Sequence, residues 1–260
     1  MKKVLFLLAT VMLCNLSIAQ DKLYLIFELM KVDNSQESSY EETEAFWEKI
    51  HQQRANNGNI IGWDLWSLRP GGENQGHQYA TVTLFSSKVA MFKGGSLMAN
   101  AKAAYPDMSE AEITKKLNGA ADTRDLAVRI YLEQLATTTG DFPIAVGTVA
   151  FFDWMKVDMG NYAAYEKAEV EVFQPDHQRQ VDAGEKGSWG LLRYVLPVGS
   201  DTYASHMTVN MFKDVDQAYA TPSDGPTLTA AQQKAVEDGL ALRDMKMVTM
   251  ATLERMVRKQ

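Results

Sequence analysis

The chain is written twice. Met30-Lys31-Val32 returns as Met155-Lys156-Val157, and Tyr40-Glu41 returns as Tyr165-Glu166. Glu44 returns as Glu169, Trp47 and His51 as Phe173 and His177, and Gly58 and Trp63 as Gly184 and Trp189. The run from Thr81 to Phe85 returns as Thr208 to Phe212. Ser109, Gly119 and Arg124-Asp125 return as Thr229, Gly239 and Arg243-Asp244. The offset stays between 119 and 127 residues throughout. Self-similarity at a near-constant period constrains a fold more than any local propensity, because both copies must adopt one topology. The join falls between Ala136 and Gly147, where threonine, glycine and proline gather.

Each copy carries the same succession of elements. Residues 23–32 and 149–157 are rich in β-branched and aromatic side chains and read as strands. A helix follows at about 40–57. Its inward residues are Tyr40, Thr43 or Glu44, Trp47, Ile50 or His51, and Arg54, at the three-and-four spacing of one helix face. Gly58 and Gly184 stand where a helix end favours a left-handed residue. Strands at 60–68 and 77–85 flank RPGGENQG, a strong turn sequence; their counterparts at 188–196 and 203–212 flank PVGSD. A second helix opens on a capping box, Ser109 with Glu112 and Thr229 with Gln232. Strands at 126–135 and 245–256 close the copies.

The order β-α-β-β-α-β is the ferredoxin-like arrangement, an open four-stranded sheet with helices on one face. Its other face is apolar, and two tandem copies can cover each other sheet against sheet. In this order of elements, with an aromatic-rich first helix and a following Gly-Trp strand, the chain resembles the dimeric α+β-barrel superfamily. More distantly it is similar to the NIPSNAP-like and antibiotic-biosynthesis-monooxygenase-like groups. The resemblance implies an α+β fold in which two tandem ferredoxin-like repeats form an intrachain barrel, with residues 20–137 as the first repeat, 138–147 as linker and 148–260 as the second. It also implies small-ligand pockets between sheet and helices, walled by the first helix and the middle strands. The candidate ligand-binding residues are then Glu44, Trp47, His51, Trp63, Trp66 and Tyr79 in the first half. In the second they are Glu169, Phe173, His177, Trp189, Arg193 and His206.

The N-terminus reads as an export signal. Lys2 and Lys3 precede an apolar run, Val4 to Leu13, too short to cross a bilayer, and Ser17-Ile18-Ala19 offers small residues for cleavage near Ala19. Residues 1–19 are therefore expected to be removed, leaving an exported chain, periplasmic or extracellular, with no transmembrane segment. The sole cysteine, Cys14, lies in that leader. A lipid anchor there is disfavoured because Leu13 stands where a small residue is wanted. The mature chain is then left without disulfides or a thiol nucleophile. Loss of Lys2 and Lys3 takes the net charge from −7 to −9, which argues against nucleic-acid binding. The remainder, 46% hydrophobic and 23% charged, is ordinary globular composition.

His51 and His177 are the candidate catalytic residues. A histidine beside aromatics on an inward helix face can serve as a general base or as an axial ligand to haem iron. It can equally be a structural group bonded to its neighbours. Repetition does not separate these readings, because fold constraints are copied with function. Glu44 and Glu169 precede the histidines by seven and eight residues, roughly 10 Å of helix. That is too far to share one metal ion, and an Arg-paired helix carboxylate is the plainer reading. Glu28 and Asp153 interrupt the apolar first strands and are expected at a barrel seam, paired with Arg129 or Lys246. Trp63, Trp189 and Trp154 read most simply as core aromatics. No HExxH, G-x-S-x-G, G-x-G-x-x-G or P-loop pattern occurs, so no metal, serine-hydrolase or nucleotide site is indicated.

Three functions are compatible with this pattern. One is binding of a small, partly apolar ligand in pockets between sheet and helices. A second is a cofactor-free or haem-dependent oxygenase, isomerase or lyase using His51 or His177. The third is a structural or assembly barrel without a small ligand. The pattern requires no cofactor and leaves the oligomeric state open. The segment 86–108, longer than its counterpart and containing Gly94-Gly95 and several methionines, is expected to form a lid over the first pocket.

Overall fold

The computed structural model describes residues 22–260; the leader with Cys14 and the cleavage positions lies outside the described residues. The first half runs β1 (Tyr24–Lys31), α1 (Glu37–Asn56), β2 (Gly62–Arg69) and β3 (Tyr79–Phe85). It continues through α2 (Lys88–Lys93), α3 (Leu97–Ala104), α4 (Glu110–Asn118) and β4 (Asp125–Thr137). The second half runs β5 (Val149–Lys156), α5 (Tyr162–Ala168), α6 (Gln174–Asp182), β6 (Ser188–Leu196) and β7 (His206–Phe212). It ends with α7 (Val215–Tyr219), α8 (Ala230–Ala241) and β8 (Asp244–Arg258).

The eight strands close into one barrel in the order β1-β3-β2-β8-β5-β7-β6-β4, every neighbour antiparallel. Read from the closing strand, the first four pair as β4-β1-β3-β2 and the last four as β8-β5-β7-β6. The fold is thus a mixed α+β fold around a closed antiparallel barrel. Strand alternation decides which side chains fill it. Leu25, Phe27 and Leu29 of β1 point in, with Trp66 and Leu68 of β2, Phe152 and Trp154 of β5, and Leu253 of β8. The alternate residues Ile26, Glu28 and Met30, and Trp63 and Leu65, point out toward the helices. Trp66 therefore belongs to the barrel core, and Trp154 packs edge-on to Phe27 at 5.7 Å.

The helix ends follow the local signals. Gly58 and Gly184 terminate their helices with φ of 69° and 72°, a conformation that glycine adopts without Cβ strain. Ser109 with Glu112 and Thr229 with Gln232 form both capping boxes. The first helix buries more than the one face its spacing indicates. Tyr40, Glu44, His51 and Ala55 turn to the sheet, while Phe46 and Ile50 pack on Ala101 and Ile113. The second face is buried because α3 and α4, which flank and partly derive from the long 86–108 segment, lie against it.

Two expectations are corrected by topology. Glu28 and Asp153 are not at a seam: they stand on β1 and β5, inside each four-strand group. The seams are β2–β8 and β4–β6. Glu28 does pair with Arg129, its cross-strand neighbour, at 2.7 Å. Asp153 does not use Lys246, which pairs with Asp244 instead; it accepts from Thr208 at 2.9 Å and Asn210 at 2.8 Å. Among the described residues, no helix is long and apolar enough to cross a membrane.

Candidate functional site

Between the outer face of the first-half sheet and its helices lies a cavity of about 630 Å³. Such volumes suit a small organic ligand. Its walls bring together Glu44, Trp47, His51 and Trp63 of the sequence candidates. Glu28, Arg54, Thr83 and Arg124 join them, and Gly94, Gly95 and Leu97 bring the 86–108 segment to its edge.

The His51 ring lies between two indoles. Trp63 stacks on it at 4.9 Å and 13°, and Trp47 lies at 5.7 Å and 26°. Its Nδ1 is 3.0 Å from Arg54 Nη1. A guanidinium can only donate, so Nδ1 accepts and the ring proton sits on Nε2. Burial, then the charges of Arg54 and Arg124, pushes the pKa of His51 well below its ordinary value. His51 is a neutral donor in this geometry, with no acceptor for Nε2–H among the described residues.

Glu44 is buried and takes a 2.7 Å hydrogen bond from Arg124. Burial raises the Glu44 pKa and the Arg124 charge pulls it back. This is the Arg-paired carboxylate of the plainer sequence reading, now with its partner. Glu169 and Arg243 form the same pair in the second half. The indole Nε1–H of Trp47 is buried without a hydrogen-bond partner.

The second half assembles its candidates differently. His177 stacks on Trp189 at 5.0 Å and 17°, and Lys186 Nζ donates to its Nδ1 at 2.8 Å. Burial, then the Lys186 charge, lowers the His177 pKa to about 3; burial lowers Lys186 itself to about 8. Between Glu169 and Phe173 the helix takes one π-turn, which accommodates the extra residue separating these two relative to Glu44 and Trp47. Phe173 then lies under the Arg243 guanidinium at 5.0 Å and against Gly239, whose added Cβ would come within 3.0 Å of the ring.

Three candidates lie away from the histidine pair. Tyr79 packs on Tyr40 at 4.6 Å, toward the start of α1. His206 holds Glu166 through Nε2 at 3.1 Å and Ser205 through Nδ1 at 3.0 Å. Arg193 bridges Glu166 and Glu133, tying β6 to β4 across the seam. Tyr79, Arg193 and His206 sit at the far end of their strands from Trp63 and Trp189, so strand position separates them from the cavity. Sequence reasoning placed Arg54 on the inward face without assigning it a role, and missed Lys186; the spacing of Arg54, three residues after His51, was the available signal.

These histidines do not fit haem. An axial histidine donates its second ring N–H to an acceptor and offers the other lone pair to iron. His51 and His177 instead point Nδ1 at the donor-only groups of Arg54 and Lys186, and both nitrogens of His206 are engaged. Among the described residues, no cluster of three or more His, Cys, Asp or Glu is placed to hold a metal ion.

No family model and no curated protein matches the sequence. Solved structures share the fold. A candidate monooxygenase from Lactobacillus acidophilus NCFM superposes with a TM-score of 0.57 at 10% identity, covering 92% of this chain and 97% of its own. One from Fusobacterium nucleatum subsp. nucleatum ATCC 25586 gives 0.57 at 8% identity, over 93% and 96%. An anthrone oxidase-like protein gives 0.53 at 11% identity, over 92% and 94%. At such identities the likeness is one of α+β barrel architecture.

Proposed function

We propose that this chain binds a small, partly apolar molecule in the first-half cavity. The observation that carries this is the 630 Å³ space itself, in which the aromatic walls Trp47, Trp63, Phe85 and Tyr131 face charged side chains, Glu28, Glu44, Arg54, Arg124 and Arg129. A concavity of this size that sets polar groups among apolar walls can orient a ligand carrying both kinds of surface. The ligand would reach the cavity past the 86–108 segment, with Gly94-Gly95, both left-handed, as its hinge. Native mass spectrometry of the purified protein tests this: a co-purifying small molecule is expected, and it should be lost when Thr83→Trp fills the cavity.

A second reading is a cofactor-free oxygenase-type enzyme. It is favoured by one feature, the Nε2–H of His51 beside Arg54 on the cavity wall, which could steady an oxyanion as it forms. Oxygen uptake with anthrone, a ketone that enolises to an electron-rich phenol, compared between the wild type and His51→Gln, tests it. Uptake independent of His51 removes that reading.

The chain is further proposed to be a tandem duplication of one ferredoxin-like unit, with repeats at 20–137 and 148–260, exported after removal of residues 1–19. The matched strand orders β4-β1-β3-β2 and β8-β5-β7-β6 support the duplication. N-terminal sequencing of protein secreted by its host tests the export.

A further inference from the structure

The charges on the cavity wall do not cancel. Arg124 is matched by Glu44 and Arg129 by Glu28, each at 2.7 Å. Arg54, the third arginine of the wall, touches no carboxylate among the described residues. Its two hydrogen bonds go to neutral acceptors, His51 Nδ1 at 3.0 Å and the Gly94 carbonyl at 3.2 Å. Glu28 is near enough to raise the Arg54 pKa, against a larger lowering by burial, but its oxygens are held by Arg129 and Thr81. A guanidinium carries five N–H donors, so Arg54 has donors to spare. The wall thus presents one surplus positive charge with donors to spare, inside a chain whose net charge is −7. A half-buried cation without a partner is unfavourable unless something else supplies the anion.

We infer that the ligand of this cavity is a monoanion, a carboxylate or an ionised enol on a flat, largely apolar frame, with Arg54 as the residue that selects it. The oxyanion accepts from the spare donors of Arg54, and the frame lies against Phe85, Leu97 and Tyr131. The inference rests on the first-half cavity being a ligand site. It goes further by fixing the charge of what binds and the residue that reads it.

The test uses a matched pair of probes, 2-naphthoate and neutral 2-naphthamide, titrated calorimetrically at pH 7.5. The proteins are the wild type, Arg54→Met, Arg54→Lys and Thr83→Trp, each first checked for cooperative melting. The expected result is naphthoate binding the wild type about ten- to a hundredfold more tightly than naphthamide, the scale of a charge-assisted hydrogen bond. Arg54→Met should erase that preference, naphthoate then binding no more tightly than naphthamide, while Arg54→Lys keeps part of it. Thr83→Trp should abolish binding of both. Equal binding of the two probes by the wild type, lost in Thr83→Trp, overturns the anion inference and leaves the cavity reading standing. No binding of either probe, or binding that survives Thr83→Trp, overturns both. Should Arg54→Met fail to fold, Arg54→Gln takes its place, and an undiminished preference for naphthoate in that variant overturns the inference.

Discussion

In the first half, the helix carrying His51 runs unbroken for 20 residues, and the chain following α4 lines an open cavity. In the second half, the corresponding helix is interrupted by a π-turn, and α8 lies so close to it that a Cβ added at Gly239 would come to 3.0 Å from Phe173. Both halves keep the buried Glu–Arg pair and the histidine stacked on a tryptophan. What differs is the cation on the histidine, Arg54 at the cavity and Lys186 in the second half, and the exposure of the ring, His51 being buried and His177 partly exposed. The repeated residues hold helix to sheet, and the halves part where the chain does not repeat: one inserted residue and a longer 86–108 segment.

The strongest way to break this comparison is at the anchors. Glu44→Ala strands Arg124 and Glu169→Ala strands Arg243. Removing one partner of a buried pair costs about 3–5 kcal/mol, so both variants should lose that much stability in urea titrations. A small loss in only one half would mean that the two pairs do not do the same job.

A smaller effect comes from pH. Burial is the first cause lowering the pKa of all four histidines, His51, His77, His177 and His206. An unfolded histidine takes up a proton near pH 6.5, while these folded ones resist it. Their neutral forms therefore cost nothing above that pH, and stability falls as pH drops below it. With His177 held at about 3, its share between pH 6.5 and 5 is about 1.6 kcal/mol. The stability of wild type relative to His177→Gln should shrink by that amount over this interval, as measured by denaturant midpoints. His51→Gln should flatten the profile in the same sense. A pH-independent gap at either position would show that the ring is charged or solvated there.

The two copies can be told apart at one pair of glycines. A Cβ on Gly239 would press on Phe173 at 3.0 Å and on Ala168 at 3.3 Å, and Phe173 is pinned beneath Arg243. On Gly119 the nearest atom is the Asp122 carboxylate at 3.7 Å. Overpacking exceeds the gain in helix propensity in the first case and is absent in the second. Gly239→Ala should therefore lower stability by about 1 kcal/mol, and Gly119→Ala should match or exceed the wild type in melting temperature.

Much of this architecture was legible because the signals were local. The capping boxes at Ser109 and Thr229, the turn glycines and the strand alternation each depend on neighbours in sequence, and each appears where expected. The shared face of Glu44, Trp47 and His51 was legible for the same reason. The π-turn was also written in the chain, as seven residues between Glu44 and His51 against eight between Glu169 and His177, but a spacing difference does not say where a helix absorbs it. Tyr79, Arg193 and His206 were placed with the pocket because they lie on middle strands; how far along the strand each stands relative to α1 and α5 depends on register between distant segments. That Arg54 lacks a carboxylate depends on where Glu28 and Glu44 find their partners, 101 and 80 residues away.

The finest difference lies on the first strands. Glu28 and Asp153 are equivalent, as are Thr81 and Thr208, the hydroxyls bonded to them. Beyond that the halves diverge: Glu28 takes Arg129 as its cation, and Asp153 takes the Asn210 amide, with burial raising its pKa. Lys246 is left with Asp244, two residues away on the surface. A partly exposed pair such as Glu28–Arg129 contributes about 0.2–1 kcal/mol, and an isolated surface substitution changes stability by no more than about 0.5 kcal/mol. Arg129→Ala should thus be measurable in a denaturant titration, and Lys246→Ala should fall within its scatter. If Lys246→Ala costs as much as Arg129→Ala, the two strand carboxylates are paired alike, and the divergence between the halves is confined to the helix layer.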